Sequence, residues 1–396
     1  MTTEVAETMA ETRKASRFIV PVAVAGVAAA TIGLVPALAA SGDPELPEIT
    51  AQQLIEKIAA SDTQTLSGTF KISTDLGLPS FAGLMSGLGG DGGGSSADPS
   101  EKLTELVSGT HTLRVAADGP ERQRLTLLDG SDEYSLIHNG ADVWAYDSKS
   151  NEVFHEKAPE GAGAPEEKEV PTTPKELADE VLKAAGDTTS ITVDGTAKVA
   201  GRDAYQLVIK PKQAGSTVES VKIAVDAANG TPLKFTLASV EGGKPVVDAG
   251  FTKIDFAKPA ASDFAFKAPA GAKVTEGAAQ DAAGEEKLPE GFEKGLGGLE
   301  KGFGDFGDFG EGMNVIGEGW TTIAKLDTGA PAPKTDEAPK EVQGFLDSLG
   351  DKVTGKFGSG TVFKTKLVNA LLTDDGKVYV GAVTQDALVN AANAGK

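Results

Sequence analysis

From Thr110 onward, large apolar residues alternate with other residues, which is the period of two that indicates half-buried β-strands. Asp-Gly and Asn-Gly pairs fall between these segments and supply the positive φ angles that tight hairpins need. The alternating segments are Leu113/Val115, Leu125/Leu127, Tyr134/Leu136, Trp144/Tyr146, Tyr205/Leu207/Ile209, Val221/Ile223/Val225 and Leu233/Phe235/Leu237. The turn pairs begin at Asp118, Asp129, Asn139, Asp194 and Asn229. The pattern predicts an antiparallel meander of short strands.

Two segments have helical rather than strand spacing. Residues 49–60 form an amphipathic pattern with Thr50 as a suitable N-cap, and residues 173–185 form a second one. With about eleven strands expected over residues 45–275, the meander should curl with its apolar side inward, and the helices can fill its open side. We therefore expect an α+β, mainly β, domain over residues 45–275.

The apolar strand residues define either a filled core or a cavity that binds an acyl chain, and the pattern alone does not separate the two. Burying ten methylenes of such a chain would contribute on the order of 8 kcal/mol before ordering costs. The candidate lipid-binding residues are Leu113, Val115, Leu125, Leu127, Trp144, Tyr146, Phe235 and Leu237.

A glycine-rich insert, residues 76–99, carries eight glycines together with large apolar side chains. Such an insert either lacks a fixed structure or lies across an apolar surface. Its loop or lid candidates are Phe81, Leu84 and Met85.

The C-terminal part of the chain is a separate, smaller unit. Residues 276–312 are a linker rich in Gly, Phe and Asp, and residues 313–396 form an α+β module. We expect a strand at 320–326, a hairpin of strands 361–373 and 377–383, and a helix from Gln385. A module of about 80 residues is marginally stable alone, so docking on the main domain is expected.

The N-terminal segment, residues 1–39, resembles a secretory signal peptide. Three basic residues precede the uncharged run 18–40, which contains the small-x-small motif Ala37-Leu38-Ala39. The alternative is an uncleaved membrane anchor, because 23 apolar residues can span a bilayer. Both alternatives predict an extracytoplasmic protein, secreted or held at the outer face of the cytoplasmic membrane.

Composition excludes several classes of function. The 58 acidic and 37 basic residues give a net charge of -21, which argues against nucleic-acid binding. There is no cysteine, so disulfides, thiolate metal sites and a lipid-bearing N-terminal cysteine are excluded. The three histidines, His111, His138 and His155, lack short metal-ligand spacing. We predict no catalytic residues, no metal and no cofactor.

Two glycine motifs match nucleotide-binding patterns only in part. Gly302 to Gly307 has the G-x-G-x-x-G spacing but lies in low-complexity sequence without a βαβ context. Gly350 to Lys356 resembles a phosphate-binding loop, but Phe357 stands where Ser or Thr would bind magnesium. Neither motif indicates an enzyme.

Several strands resemble the LolA/LolB lipoprotein-carrier superfamily, which includes the envelope-stress sensor RseB. The quoted segments are the opening 49–71, the W-x-Y-D strand at 141–147, the G-R-x-A-Y-x-L strand at 201–207, the V-D-x-x-N-G-x-P-L hairpin at 225–233 and Phe264-x-Phe-x-x-Pro269. The resemblance covers about residues 48–275 and implies a half-open antiparallel β-barrel with a helical lid that holds acyl chains. Unlike LolB, the chain has no lipobox cysteine, and it adds the glycine-rich insert and the C-terminal module. The Ala/Gly-rich composition is typical of a high-GC, actinobacterial-type source.

Three functions are compatible with these features. The first is an exported, non-enzymatic carrier that binds an acyl lipid or lipoprotein. The alternative is an RseB-like regulator that binds the external domain of an envelope membrane protein such as an anti-sigma factor. A wall-associated hydrolase is a weaker third hypothesis, because export alone supports it.

Overall fold

The computed structural model describes residues 44–77, 97, 109–157, 174–277, 313–327 and 350–395. Apart from residues 44 and 45, which group with the N-terminal segment, they lie in one unit, Leu46–Lys396. The expected signal segment and most of the linker lie outside the described residues. None of the described helices is both long and apolar enough to cross a membrane.

Twelve strands of the described chain form one large sheet. They are β1 (Thr65–Thr74), β2 (Gly109–Asp118), β3 (Arg122–Asp129), β4 (Asp132–Asn139), β5 (Asp142–Asp147), β6 (Glu152–Lys157), β7 (Thr189–Val199), β8 (Arg202–Pro211), β9 (Val218–Asp226), β10 (Pro232–Ser239), β11 (Val247–Asp255) and β12 (Lys273–Glu276). Their order is β12-β6-β5-β4-β3-β2-β1-β11-β10-β9-β8-β7. Neighbours are antiparallel except β12, which runs parallel to β6. The described strands do not close into a barrel, and the predicted fold class, α+β and mainly β, is confirmed.

Two helices cover one end of this sheet. In α1 (Ala51–Ala59), the Gln53 backbone N–H donates to Thr50 Oγ1 at 3.2 Å, and the Gln53 side chain accepts from the Thr50 N–H at 2.9 Å. This reciprocal capping confirms Thr50 as the N-cap. The second helix, α2 (Pro174–Ala185), packs with α1 against strands β8 and β9. The shared core contains Leu54, Ile55, Ala178, Tyr205, Leu207 and Val225. Both helices therefore cover this end of the sheet.

One predicted turn is wrong. Asp194-Gly195 lies within β7, where the pairing with β8 shifts register between Val193 and Thr196. Gly195 still has a positive φ of 80°, which a β-bulge accommodates as well as a hairpin does. The chain reverses instead at Ala200 and Gly201, with φ of 50° and 82°.

The C-terminal module contains a second, six-stranded sheet. Its strands are β13 (Met313–Ile316), β14 (Ile323–Asp327), β15 (Gly350–Gly355), β16 (Gly358–Phe363), β17 (Asn369–Thr373) and β18 (Lys377–Gly381), ordered β13-β14-β18-β17-β16-β15. Helix α3 (Gln385–Ala394) buries Leu388 against this sheet. The single strand expected at 361–373 is divided into β16 and β17. Thr365 explains the break, because its Oγ1 accepts from the Val368 N–H at 2.8 Å and forms a local turn.

The module docks on the large sheet through both backbone and side chains. The Thr217 N–H donates to the Ala382 carbonyl at 3.0 Å, and the Thr384 N–H donates to the Gly215 carbonyl at 2.7 Å. Lys366 Nζ lies 2.7 Å from Asp75 Oδ2. These contacts join the C-terminal module to the end of β1 and to the β8–β9 connection.

Candidate functional site

Cross-strand pairing assigns the apolar strand residues to one of two faces. A continuous row runs from β2 to β6, in which Val115 faces Leu125, Leu125 faces Leu136, Leu136 faces Ala145 and Ala145 faces Phe154. Directly opposed residues of antiparallel strands project from the same side of a sheet. We call this side face A and the other side face B. All of this row except Ala145 is half-buried, so it is an apolar surface of intermediate exposure.

A second row on face A is fully packed. Leu113 faces Leu127, Leu127 faces Tyr134, and all three are buried. The Tyr134 hydroxyl donates to the carbonyl of Ala97 at 3.0 Å, and Ala97 is itself buried. Ala97 belongs to the glycine-rich insert, so the described part of that insert contacts face A. The lid candidates Phe81, Leu84 and Met85 lie outside the described residues.

Face A continues into the other half of the sheet. Phe235 faces Ala249, Ala249 faces Ile72, and in the opposite direction Phe235 faces Ile223. Leu237 lies two residues after Phe235 and is also half-buried. Ile223 packs against the helix-covered core, so the helices lie on face A. Among the described residues, α1 and α2 cover face A over β7–β9. The rest of face A lies on β10, β11 and β1 to β6.

Trp144 and Tyr146 lie on face B, away from the other six candidate residues. Trp144 faces Ile137 and Tyr146 faces Ser135 in the β4–β5 pairing. The rings of both contact Phe266, at centroid separations of 5.4 and 5.8 Å. Alternation within a strand cannot show which side a residue takes relative to distant strands, because hairpin register decides that. The structure therefore groups Leu113, Val115, Leu125, Leu127, Phe235 and Leu237 and separates the aromatic pair from them.

His155 makes three side-chain contacts that the sequence pattern did not predict. Its ring stacks on Trp144 with a centroid separation of 3.6 Å, and its two nitrogens each contact a carboxylate. His111 and His138 lie on other strands of the sheet. Among the described residues, no group of three His, Asp or Glu side chains could hold a metal ion.

The residues that carry the family resemblance form a structural pair. Arg202, from the G-R-x-A-Y motif, binds Asp226, from the V-D-x-x-N-G hairpin, through both Nε and Nη2. Burial alone raises the pKa of Asp226, but the hydrogen bonds from Arg202 and from the backbone N–H groups of Asn229 and Ala228 hold that pKa below its ordinary value. This pair ties β8 to the β9–β10 turn, so it supports the sheet.

Two other features lie mostly outside face A, although Val115 is among the residues that line the first. A depression of about 290 Å³ is lined by Arg114, Arg124, Glu133 and Asp263, whose charges are of both signs. The phosphate-loop near match, Gly350–Gly355, is strand β15 and pairs with β16. It therefore lacks the loop-to-helix geometry that cradles phosphates.

No family model and no curated protein matches this chain. Matching solved structures include the Pseudomonas aeruginosa MucA/MucB complex, at 18% identity and a TM-score of 0.39, covering 86% of this chain and 96% of that chain. An uncharacterised conserved protein from Thermus thermophilus matches at 13% identity and a TM-score of 0.30, covering 57% and 98%. A LolA superfamily protein from Nitrosomonas europaea matches at 12% identity and a TM-score of 0.20, covering 55% and 99%.

These solved structures are all under 25% identical to this chain, and their TM-scores are all under 0.5. Their identities and TM-scores are too low to transfer a residue role or a function. What the chain does must follow from its own residues, above all from face A.

Proposed function

We propose that this chain is an extracytoplasmic, non-enzymatic binding protein that takes acyl chains of a lipid or lipoprotein on face A. The observation that carries the proposal is the continuous apolar row from Val115 to Phe154, which most globular sheets would bury under a second layer. Its side chains other than Ala145 are half-buried, so part of their apolar surface remains accessible. Acyl chains fit such a surface because their binding is driven by hydrophobic transfer and needs no directed polar group.

Two polar side chains of face A, Tyr134 and Asp147, make hydrogen bonds to nearby backbone groups. The Tyr134 hydroxyl is engaged with the Ala97 carbonyl, and Asp147 accepts from the Lys149 N–H at 2.8 Å in a turn. Both groups are therefore used in holding local structure.

The test compares two leucines of the same strand. Leu125 lies on face A, and Leu128, also half-buried, lies on face B because it faces Thr112. Leu125→Ala should weaken binding of a fluorescent fatty acid by about 5- to 30-fold, the equivalent of about 1–2 kcal/mol of lost apolar contact. Leu128→Ala should leave the dissociation constant within about twofold, since it removes the same side chain from the other face.

Circular dichroism and urea unfolding of both variants establish that the fold survives. Equal effects of the two substitutions on probe binding would contradict face A as the site. Phe235→Ala, on the other half of face A, should weaken binding in the same way as Leu125→Ala. Trp144→Ala, on face B, should not.

A second candidate function is an RseB-like regulator that holds the external domain of an envelope membrane protein. The observation that favours it is the docked C-terminal module, whose backbone is joined to the large sheet at Thr217 and Thr384. Pull-down from native membranes should recover one dominant partner, and recovery of none would remove this alternative.

A further inference from the structure

Exposed cations are concentrated on face B, in the half of the large sheet formed by β2, β1, β11, β10 and β9. Arg114 faces Thr69, and Thr69 faces Lys253 in the strand pairing. Arg114 follows Leu113 of face A directly, so Arg114 and its opposed residues lie on face B. The same pairing places four exposed cationic side chains on this face: Lys71, Arg114, Lys222 and Lys253.

These four cations are not neutralised within the protein. None of their side chains forms a hydrogen bond or an ion pair with a residue that the structure describes. Lys234, a fifth cation on face B, is bound to Asp248 at 2.8 Å. Two further carboxylates of face B lie at the margin, where Glu133 faces Leu128 and Asp255 faces Ser67. We call Lys71, Arg114, Lys222, Lys234 and Lys253 the basic patch.

The basic patch is too wide for one small anion. Its residues lie on five neighbouring strands, which at about 4.8 Å per strand extend over about 19 Å. Lys71 and Arg114 are diagonal neighbours on adjacent strands, with Cβ atoms about 7–8 Å apart. Thr69 and Thr112 lie between them, so hydroxyl groups alternate with the cations. Cations and hydroxyls are the side chains that bind phosphate oxygens, and this spread fits a partner that presents many of them.

The basic patch contrasts with the charge of the whole chain. The net charge is -21, yet residues 189–277 contain eleven Lys and Arg against nine Asp and Glu. Exposed charges separated by more than about 8 Å are largely screened at physiological salt, so the patch acts on a contacting surface largely independently of distant acidic residues. A positively charged face on an acidic protein therefore favours one orientation toward a negatively charged surface.

The cover of face B ends before the basic patch begins. Over β4 and β5, the ring of Phe266 contacts Trp144 and Tyr146, and Phe264 is buried. Over β2, β1, β11 and β9, the cations are exposed. The patch is therefore accessible to a partner.

We propose that the basic patch docks the protein on an anionic membrane surface, where its cations contact the phosphates of lipid headgroups. The choice of a membrane among polyanions rests on the proposed function, because acyl chains are supplied by membranes. Faces A and B are opposite sides of one sheet, so docking through face B leaves the acyl-binding surface uncovered.

Co-sedimentation with lipid vesicles tests the docking. The protein exported from a bacterial host should bind vesicles of phosphatidylcholine with about one-third phosphatidylglycerol, and added salt should weaken this binding. Vesicles of phosphatidylcholine alone should not bind, which separates headgroup contact from insertion of an apolar segment. Combining Lys71→Gln, Lys222→Gln and Lys253→Gln should weaken binding to the mixed vesicles by about 10- to 100-fold.

A matched control removes the same charge elsewhere. It combines Lys149→Gln, Lys352→Gln and Lys356→Gln, three exposed lysines outside the basic patch. Its vesicle binding should stay within about twofold of wild type, because these positions are not on the docking surface. Circular dichroism of both triple variants should match wild type.

Equal loss of vesicle binding in the two triple variants would overturn the basic patch as the docking surface. Binding of soluble polyphosphate without binding of vesicles would overturn the membrane as its partner. Uptake of a fatty-acid probe separates this proposal from acyl binding on face A. Wild-type protein that takes up the probe but does not bind the mixed vesicles contradicts the docking alone, and protein that binds these vesicles but takes up no probe contradicts acyl binding alone.

Discussion

Replacing Asp226 tests whether the sheet depends on the ion pair that its sequence motifs encode. The Asp226 side chain is fully buried, and Arg202 is partly exposed at 33%. One carboxylate oxygen of Asp226 accepts a hydrogen bond from Arg202 Nε. The other oxygen accepts from Arg202 Nη2 at 3.1 Å. It also accepts from the backbone N–H groups of Ala228 at 2.8 Å and Asn229 at 3.0 Å. Arg202 also lies over the ring of Phe256, 4.7 Å from its centroid.

The magnitude follows from what each substitution leaves behind. Asp226→Ala removes the acceptor of two turn N–H groups and leaves the arginine unpaired, so we expect a loss of about 3–5 kcal/mol in the free energy of unfolding. Asp226→Asn retains an oxygen for the turn and loses the charge, so we expect about 1.5–3 kcal/mol, the usual contribution of a hydrogen bond to a charged group.

Urea denaturation followed by circular dichroism gives these differences from the transition midpoint. A double-mutant cycle with Arg202→Met isolates the coupling between the two side chains, which should be about 1–3 kcal/mol. Lys198→Met is a suitable control, since its ion pair with Asp203 is exposed on both partners and should contribute about 1 kcal/mol or less.

The same pair predicts a pH dependence of defined sign. The folded-state pKa of Asp226 is lowered, so its stabilisation is present above the unfolded value of about 3.9 and is lost as pH falls through the lower folded value. The stability difference between wild type and Asp226→Asn should therefore shrink as the solution is acidified below about pH 4. A coupling free energy near zero, or a difference that grows on acidification, would refute this reasoning.

Two further predictions concern a close backbone contact and the docked module. Gly230→Ala should lower the free energy of unfolding by about 3 kcal/mol, because φ is 79° and a Cβ would lie 2.3 Å from the Lys57 carbonyl oxygen. The control is Gly201→Ala, where φ is 82° but the space around a Cβ is open. It should cost about 1–2 kcal/mol in the same thermal-unfolding measurement. Asp75→Asn removes the ion pair with Lys366 and should lower the free energy of urea unfolding by about 1 kcal/mol or less. High salt screens such a pair, so it should remove the difference between the variant and the wild type. A difference that persists in high salt would contradict a screened ion pair.

Local sequence patterns predicted most of the secondary structure because their causes are local. Thr50 caps its helix with Gln53, three residues away, and the glycines after Asp118, Asp129, Asn139 and Asn229 all have positive φ. Two of the failures are also local in origin. At Gly195 the residue has the positive φ of a turn but lies in a β-bulge within one strand. At Thr365 a side-chain hydrogen bond forms a local turn and divides the segment that the apolar alternation predicts as a single strand.

The site was less predictable because it depends on register and on distant partners. Six of the eight lipid-binding candidates share face A, but the side taken by Trp144 is set by the pairing of β4 with β5. His155 meets Glu276, which is 121 residues away, and no spacing rule connects them. The lipid-binding role of these residues stays a prediction until it is measured.

Native mass spectrometry of the protein exported from a bacterial host, followed by lipid extraction of the same sample, tests acyl binding on face A most directly. The account predicts an acyl lipid that co-purifies at fixed stoichiometry and is depleted in Leu125→Ala but retained in Leu128→Ala. A mass with no bound lipid, together with no uptake of a fatty-acid probe by the wild-type protein, would contradict acyl binding and leave the partner-binding alternative.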